Sequence, residues 1–418
     1  MTPRRFALTI LLAICLLPVL LFGWAFWHGY PGNLIAPNHQ LVVRDYLNLW
    51  AGGRLAAQGH IAVIFDPQAY ATWLRSIFGP RLDLHTWSYP PHFLLLAFPF
   101  GWLPLIPGFL VWTAATGALL WFVLRTGGLS VWCTLASLLS PAGLENALGG
   151  QNGALTTAGL AGGLLLCEQR PVLAGALLGL LTFKPQLGLL VPICLLARRD
   201  WRSLGWAAVF GTAYCAAGLL AFGWETWRQY FTVTTPFMRG YMDARFGLTG
   251  HYMMATPFIT MRAAGADLGA SYAVQAVVSV LCAMLAWWAW SRRAADDRVL
   301  VALVLCLAPL ATPYAHSYDL IGAAVACVML VTEADEQRAL RPRDWLRLGL
   351  LLGPAWLWPG GALVSGLLIA PGLAPFCIAP AVGLAGWYIA RGGLAGAPHL
   401  VSTPAGRAAV DPIKPRQR

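Results

Sequence analysis

The sequence predicts an all-α polytopic membrane protein with about 10 to 12 transmembrane helices, and two observations lead there. Of 418 residues, 58% are hydrophobic and 11% charged, whereas a soluble domain carries roughly 25% charged residues. Apolar runs of about 18 residues or more recur from the N-terminus nearly to the C-terminus. A soluble globular enzyme is excluded. So is a disordered chain, which would be poor in aromatics and rich in charge. The nine cysteines lie singly inside apolar segments with no CxxC pair, so neither a disulfide framework nor a zinc site is expected. No basic patch on a soluble face is visible, which argues against nucleic acid as a partner.

Taken in order, Arg4 and Arg5 precede an apolar run from Phe6 to Trp27. It is too long for a signal-peptide core and lacks a small-residue cleavage pattern, so it reads as an uncleaved first span with a cytoplasmic N-terminus. The remaining spans are expected at 93 to 124, 129 to 141, 152 to 167, 171 to 183, 186 to 197, 203 to 222, 269 to 290, 299 to 311, 318 to 332, 348 to 369 and 373 to 390. Several fall short of the roughly 20 residues a crossing helix needs, which makes them half-helices, hairpins or merged spans. Lys184-Pro185 marks the clearest break, because one helix over 171 to 197 would put Arg170 and the group Arg198, Arg199 and Arg202 on opposite sides. Strict alternation places 19 of the 28 basic residues on the side of the termini, as the positive-inside rule demands.

Residues 1–390 therefore read as one integral membrane domain, followed by a disordered cytoplasmic tail over 391–418. Two large loops face outward, 28–92 and 223–268. In the first, Tyr46, Leu47, Leu49, Trp50, Leu55 and Ala56 recur at helical spacing, as do Tyr70, Trp73, Leu74, Ile77 and Phe78, giving amphipathic helices in the interface.

Ionisable groups near apolar stretches carry the functional expectations, because the bilayer makes them costly. Asp45, next to Arg44, starts the first amphipathic segment. It reads either as a helix-start acid favoured by the macrodipole or as a general base at the membrane surface. Lys184 is the one lysine of the membrane part and precedes a helix-breaking proline. It either snorkels to the interface or offers a point charge to a phosphate. Gln151 and Asn152, in Gly149-Gly150-Gln151-Asn152-Gly153, open a span as a turn or as an anion and hydroxyl site. His316, Tyr318 and Asp319 form a polar knot between two apolar runs, where helix capping explains the Asp but not the His. His85, Tyr89 and His92 flank the prolines entering the second span. The histidines lack close metal-ligand spacing, so no metal is expected.

Asp45-Tyr46 with the segment to Gly59, then Asp66-Pro67, Tyr89-Pro90-Pro91 leading into Phe93-Leu94-Leu95 and Pro99, Gly150-Gln151-Asn152, and Gly175 to Lys184-Pro185 together resemble glycosyltransferase family 87. The resemblance spans roughly residues 40 to 330. It implies a GT-C-like bundle whose first outer loop carries the catalytic acid. Carried over, Asp45 is the general base of an inverting transfer of a hexosyl group, mannosyl in the best-known members, from a polyprenyl-phosphate sugar to a lipid-linked or glycan acceptor. Lys184 and His316 stand near the donor phosphate, with Gln151, Asn152, His85, Tyr89, Asp319 and Arg44 as further substrate-binding candidates. The implied setting is a bacterial inner membrane, with the active site on the periplasmic face and no cofactor. Two other classes stay open: a lipid or small-molecule transporter or flippase, which would show matching broken halves, and a membrane acyltransferase, for which His85 and His316 would serve.

Overall fold

The computed structural model describes residues 43–392 apart from 249, 293–295, 339 and 365–371, with Ile35 and Leu41 besides. The expected span 6 to 27, most of 28 to 42, and the tail beyond 392 lie outside the described residues. Within them the chain is helical, with two isolated bridges and no strand.

Both expected helices of the first loop are present, α1 (Tyr46–Ala57) and α2 (Pro67–Phe78). Asp66 starts α2 by accepting the amide protons of Gln68 and Ala69. Tyr70, Ala71 and Leu74 of α2 face inward while Ile77 stays exposed. α1 differs from a surface helix in being buried on most sides. Its glycines make this possible: a Cβ at Gly53 would lie 2.2 Å from the Ala97 carbonyl oxygen, and one at Gly52 would lie 2.3 Å from the Trp87 ring. Trp50 Nε1 donates to Leu103 O at 3.0 Å and Arg54 to Gly101 O at 3.2 Å, fastening α1 to the next segment.

The span expected from 93 begins later. Pro91, Pro99 and Pro104 hold 91–104 in short helical turns, and the long helix α3 runs from Leu105 to Thr126. Beyond it come α4 (Val131–Leu138), α5 (Pro141–Gly149), α6 (Gly153–Leu166), α7 (Pro171–Leu180), α8 (Val191–Arg198) and α9 (Trp201–Phe222). After a stretch of short helices over 224–263, α10 (Leu268–Trp290), α11 (Asp297–Leu310), α12 (Ile321–Arg338), α13 (Pro342–Val364) and α14 (Ala374–Gly392) complete the bundle. Among the described residues four stretches are long and apolar enough to cross a membrane: Leu105–Thr126, Trp201–Phe222, Leu268–Trp290 and Ser317–Gln337. The chain is an all-α polytopic membrane protein.

Burial sorts these helices. Every residue of α11 from Val299 to Leu310 is buried, and α12 is buried over most of its length, so this pair forms the centre. α9 and α10 instead expose Val209, Leu220, Val277, Val280 and Met284, as lipid-facing helices do. The last carbonyls of α11 have no partner within the helix, and Gln275 of α10 satisfies one of them by donating to Leu310 O at 2.9 Å.

The helices give the bundle two polar ends. α7 and α8 make a hairpin broken at Lys184-Pro185, since Arg198 returns to Glu168 at 2.7 Å and also meets Asp297 at 2.8 Å. Arg298 adds Glu333 at 3.2 Å and Glu336 at 2.6 Å to this ion-pair end. At the opposite end lie the start of α1, the α5–α6 turn, Lys184 and the α11–α12 loop.

Candidate active site

Asp45 is the N-cap residue of α1, yet its side chain caps nothing in that helix. The carboxylate is turned instead toward the α5–α6 turn, where Gln151 Nε2 donates to Asp45 Oδ2. Oδ1 receives no donor among the described residues, and the residue is half-buried, so one carboxylate oxygen is fixed and the other faces out. Arg44 beside it holds φ +46°, the left-handed region that non-glycine residues rarely occupy. Among the described residues no carboxylate lies within ion-pair distance of its guanidinium.

Local chemistry positions Gln151 and Asn152. Gly150 ends α5 at φ +58°, and a Cβ there would lie 2.5 Å from Tyr46 Cβ, so glycine permits both the turn and the close approach of α1. Trp112 Nε1 anchors the turn by donating to Gly150 O at 2.9 Å. Asn146 Oδ1 accepts from Ala154 N at 3.1 Å, so one amide of the expected anion site at the start of α6 is already satisfied. Asn152 Nδ2 donates to Tyr89 Oη at 2.8 Å and leaves its own Oδ1 buried without a partner among the described residues. Burial holds the Tyr89 phenol well above its ordinary range, so it stays protonated.

Lys184 does not snorkel. It is 4% exposed, donates to Asp319 Oδ1 at 2.6 Å, and lies 4.9 Å from the Tyr318 ring centre. Asp319 does cap its turn, since Oδ2 accepts from His316 N at 3.1 Å, but its second oxygen belongs to Lys184. His316 stacks on Tyr318 with ring centres 5.2 Å apart and meets the edge of Tyr314 at 4.9 Å. Burial pushes its imidazole down to about 4, so the ring is neutral at pH 7, and Nδ1 has no partner among the described residues.

Asp45, Gln151, Asn152, Tyr89, Lys184, His316 and Asp319 thus gather at one end, with Arg44 next to Asp45. His85 bonds within its own loop, its Nδ1 donating to Asp83 O at 3.0 Å. Glu145 and Ser317, to which sequence reasoning gave no role, join the group through a 2.5 Å bond from Ser317 Oγ to Glu145 Oε1. The available signal was an acid in the apolar run Pro141-Ala142-Gly143-Leu144. Chemically the cluster offers, among the described residues, an oriented carboxylate, an unpaired guanidinium, a lysine paired with Asp319 and several buried polar atoms without partners, which suits a polar, anionic substrate. Among the described residues no group of His, Cys, Asp and Glu is placed to hold a metal.

A model of glycosyltransferase family 87 matches residues 87–313, more than half of the chain. The match contains Tyr89, Glu145, Gln151, Asn152 and Lys184, whereas Arg44, Asp45, His316 and Asp319 fall outside it. No curated protein and no solved structure matches.

Proposed function

Because the chain belongs to glycosyltransferase family 87, we propose that it moves a hexosyl group, mannosyl in the first instance, from a polyprenyl-phosphate sugar to a lipid-linked or glycan acceptor. The observation that carries this reading is the carboxylate of Asp45, which among the described residues is fixed on one side by Gln151 and open on the other, beside an arginine with no counterion among them. In the proposed step the acceptor hydroxyl gives its proton to Asp45 Oδ1 as its oxygen bonds to the anomeric carbon. The bond from that carbon to the phosphate oxygen breaks, and the electron pair leaves with the polyprenyl phosphate. Attack opposite the leaving group inverts the anomeric centre.

Developing charge on the phosphate calls for a cation placed in advance. Arg44 fits that role best, since Lys184 is already matched by Asp319, which leaves the lysine to order the knot. Asn152 Oδ1 and His316 Nδ1 are unpartnered acceptors for sugar hydroxyls, and the bilayer supplies the polyprenyl chain with its solvent. The site would then face the periplasm of a bacterial inner membrane, with the Arg198 end in the cytoplasm.

The test is transfer of labelled sugar from a polyprenyl-phosphate donor in membranes. Asp45→Asn, which keeps the shape and removes the base, should lower the rate by about 10² to 10⁴. Wild-type activity in a folded Asp45→Asn protein would overturn the mechanism.

A further inference from the structure

Glu145 is the acid of this end that the mechanism leaves unused. It projects from α5, a short helix outside the four long spans, and is 3% exposed. Oε1 accepts from Ser317 Oγ at 2.5 Å, while Oε2 is buried with no partner among the described residues. An ionised carboxylate with one bond and one bare oxygen is costly in such a place. The charges facing it are Arg44, Asp45 and Asp319. Counting Lys184 with Asp319, two cations already balance two carboxylates, so a charged Glu145 would leave one negative charge in excess. The helices packed on α5 bring no relief. α6 has no charged residue, and α12 and α13 carry theirs at the ion-pair end, in Glu333–Arg338 and Arg343–Arg347.

The bond also joins two parts that must stay in register. α5 leads directly into Gln151 and Asn152, which hold Asp45 and Tyr89, whereas Ser317 belongs to the loop that carries His316 and Asp319. We propose that Glu145 is a positioning residue of this site: held as a neutral acid, it fastens the loop Tyr314–Asp319 to the turn that orients Asp45, and its ionisation loosens the transfer site. The inference rests on the transferase reading above. Burial, opposed by the Ser317 bond and Arg44 and reinforced by Asp45 and Asp319, pushes the carboxyl up to about 7, in keeping with that geometry.

The test uses the full-length protein, with transfer measured in membranes and unfolding temperature in detergent, from about pH 5.5 to about 8.5. The folded acid is raised above its unfolded value, so its stabilising contribution is complete below the ordinary glutamate range and is lost as pH rises through about 7. Wild-type rate and unfolding temperature should both fall across that window. Glu145→Gln, which still accepts from Ser317 but cannot ionise, should stay within about threefold of the wild-type rate at pH 6 and lose the decline in both readouts. Glu145→Ala should lose about tenfold or more at every pH. A Glu145→Gln protein that keeps the wild-type pH dependence, or that is folded and inactive, overturns the proposal. Should Asp45→Asn prove fully active, the transfer mechanism fails on its own, and the pH dependence of unfolding still decides the state of Glu145.

Discussion

Lys184 and Asp319 stabilise each other only as a pair, with side-chain exposures of 4% and 1%. Attraction between them is offset by the cost of removing both from water, so the pair contributes little net stability, while breaking it leaves a bare buried charge. Lys184→Met alone should therefore destabilise the protein by about 3–5 kcal/mol. The double variant Lys184→Met, Asp319→Leu should recover most of that loss, as followed by unfolding in detergent. Equal loss in the single and double variants would show that the two side chains act independently. Both residues were conspicuous in the sequence, a lone lysine before a proline and an acid between apolar runs. Their partnership was hidden, because 135 positions separate them and nothing local couples them. The bond of Gln151 was hidden for the same reason: its amide nitrogen meets Asp45, 106 residues away.

Among elements, the legible ones were those whose periodicity is their own. α2 and the hairpin broken at Lys184-Pro185 follow from local spacing, a capping acid and a proline. The late start of α3 was masked by an unbroken apolar run, although Pro99 and Pro104 stand in it. The docking of α1 was not legible at all, since it depends on two glycines from different segments. A Cβ at Gly101 would lie 2.2 Å from the Gly53 carbonyl carbon and 2.4 Å from Arg54 N, both backbone atoms that cannot swing aside. Gly101→Ala should cost at least about 1–3 kcal/mol and lower transfer as well, because α1 carries Asp45 at its start. Gly117→Ala in α3, where a Cβ would meet nothing within 4 Å, is the control. It should leave transfer intact and raise the unfolding temperature, since alanine favours a helix interior by about 0.5–1 kcal/mol over glycine. A Gly101→Ala protein as stable and active as wild type would refute the close contact.

At the scale of the whole molecule, we expect the net charge of +11 to carry orientation. The hydrogen bonds agree with an alternating path, for Arg198, Glu168 and Asp297 meet at one end while Asp45, Gln151, Lys184 and Asp319 meet at the other. Composition could not place the chemistry within that frame, because the site is assembled from five segments. With the native cysteines replaced by alanine, a cysteine at Gln68 should react with a membrane-impermeant maleimide in intact cells. One at Arg199 should react only after the membrane is opened. The opposite pattern would turn the transferase over in the bilayer and leave its site in the cytoplasm.

Arg44 has a consequence for how this chain can change over generations. A left-handed backbone angle on an arginine is held against a local preference worth on the order of 1 kcal/mol, which glycine would remove. Selection for heat tolerance alone would drift toward glycine at 44, and with Arg44 in the role proposed for it above, selection for turnover would forbid it. The strained angle is thus a place where robustness and catalysis pull the same codon in opposite directions.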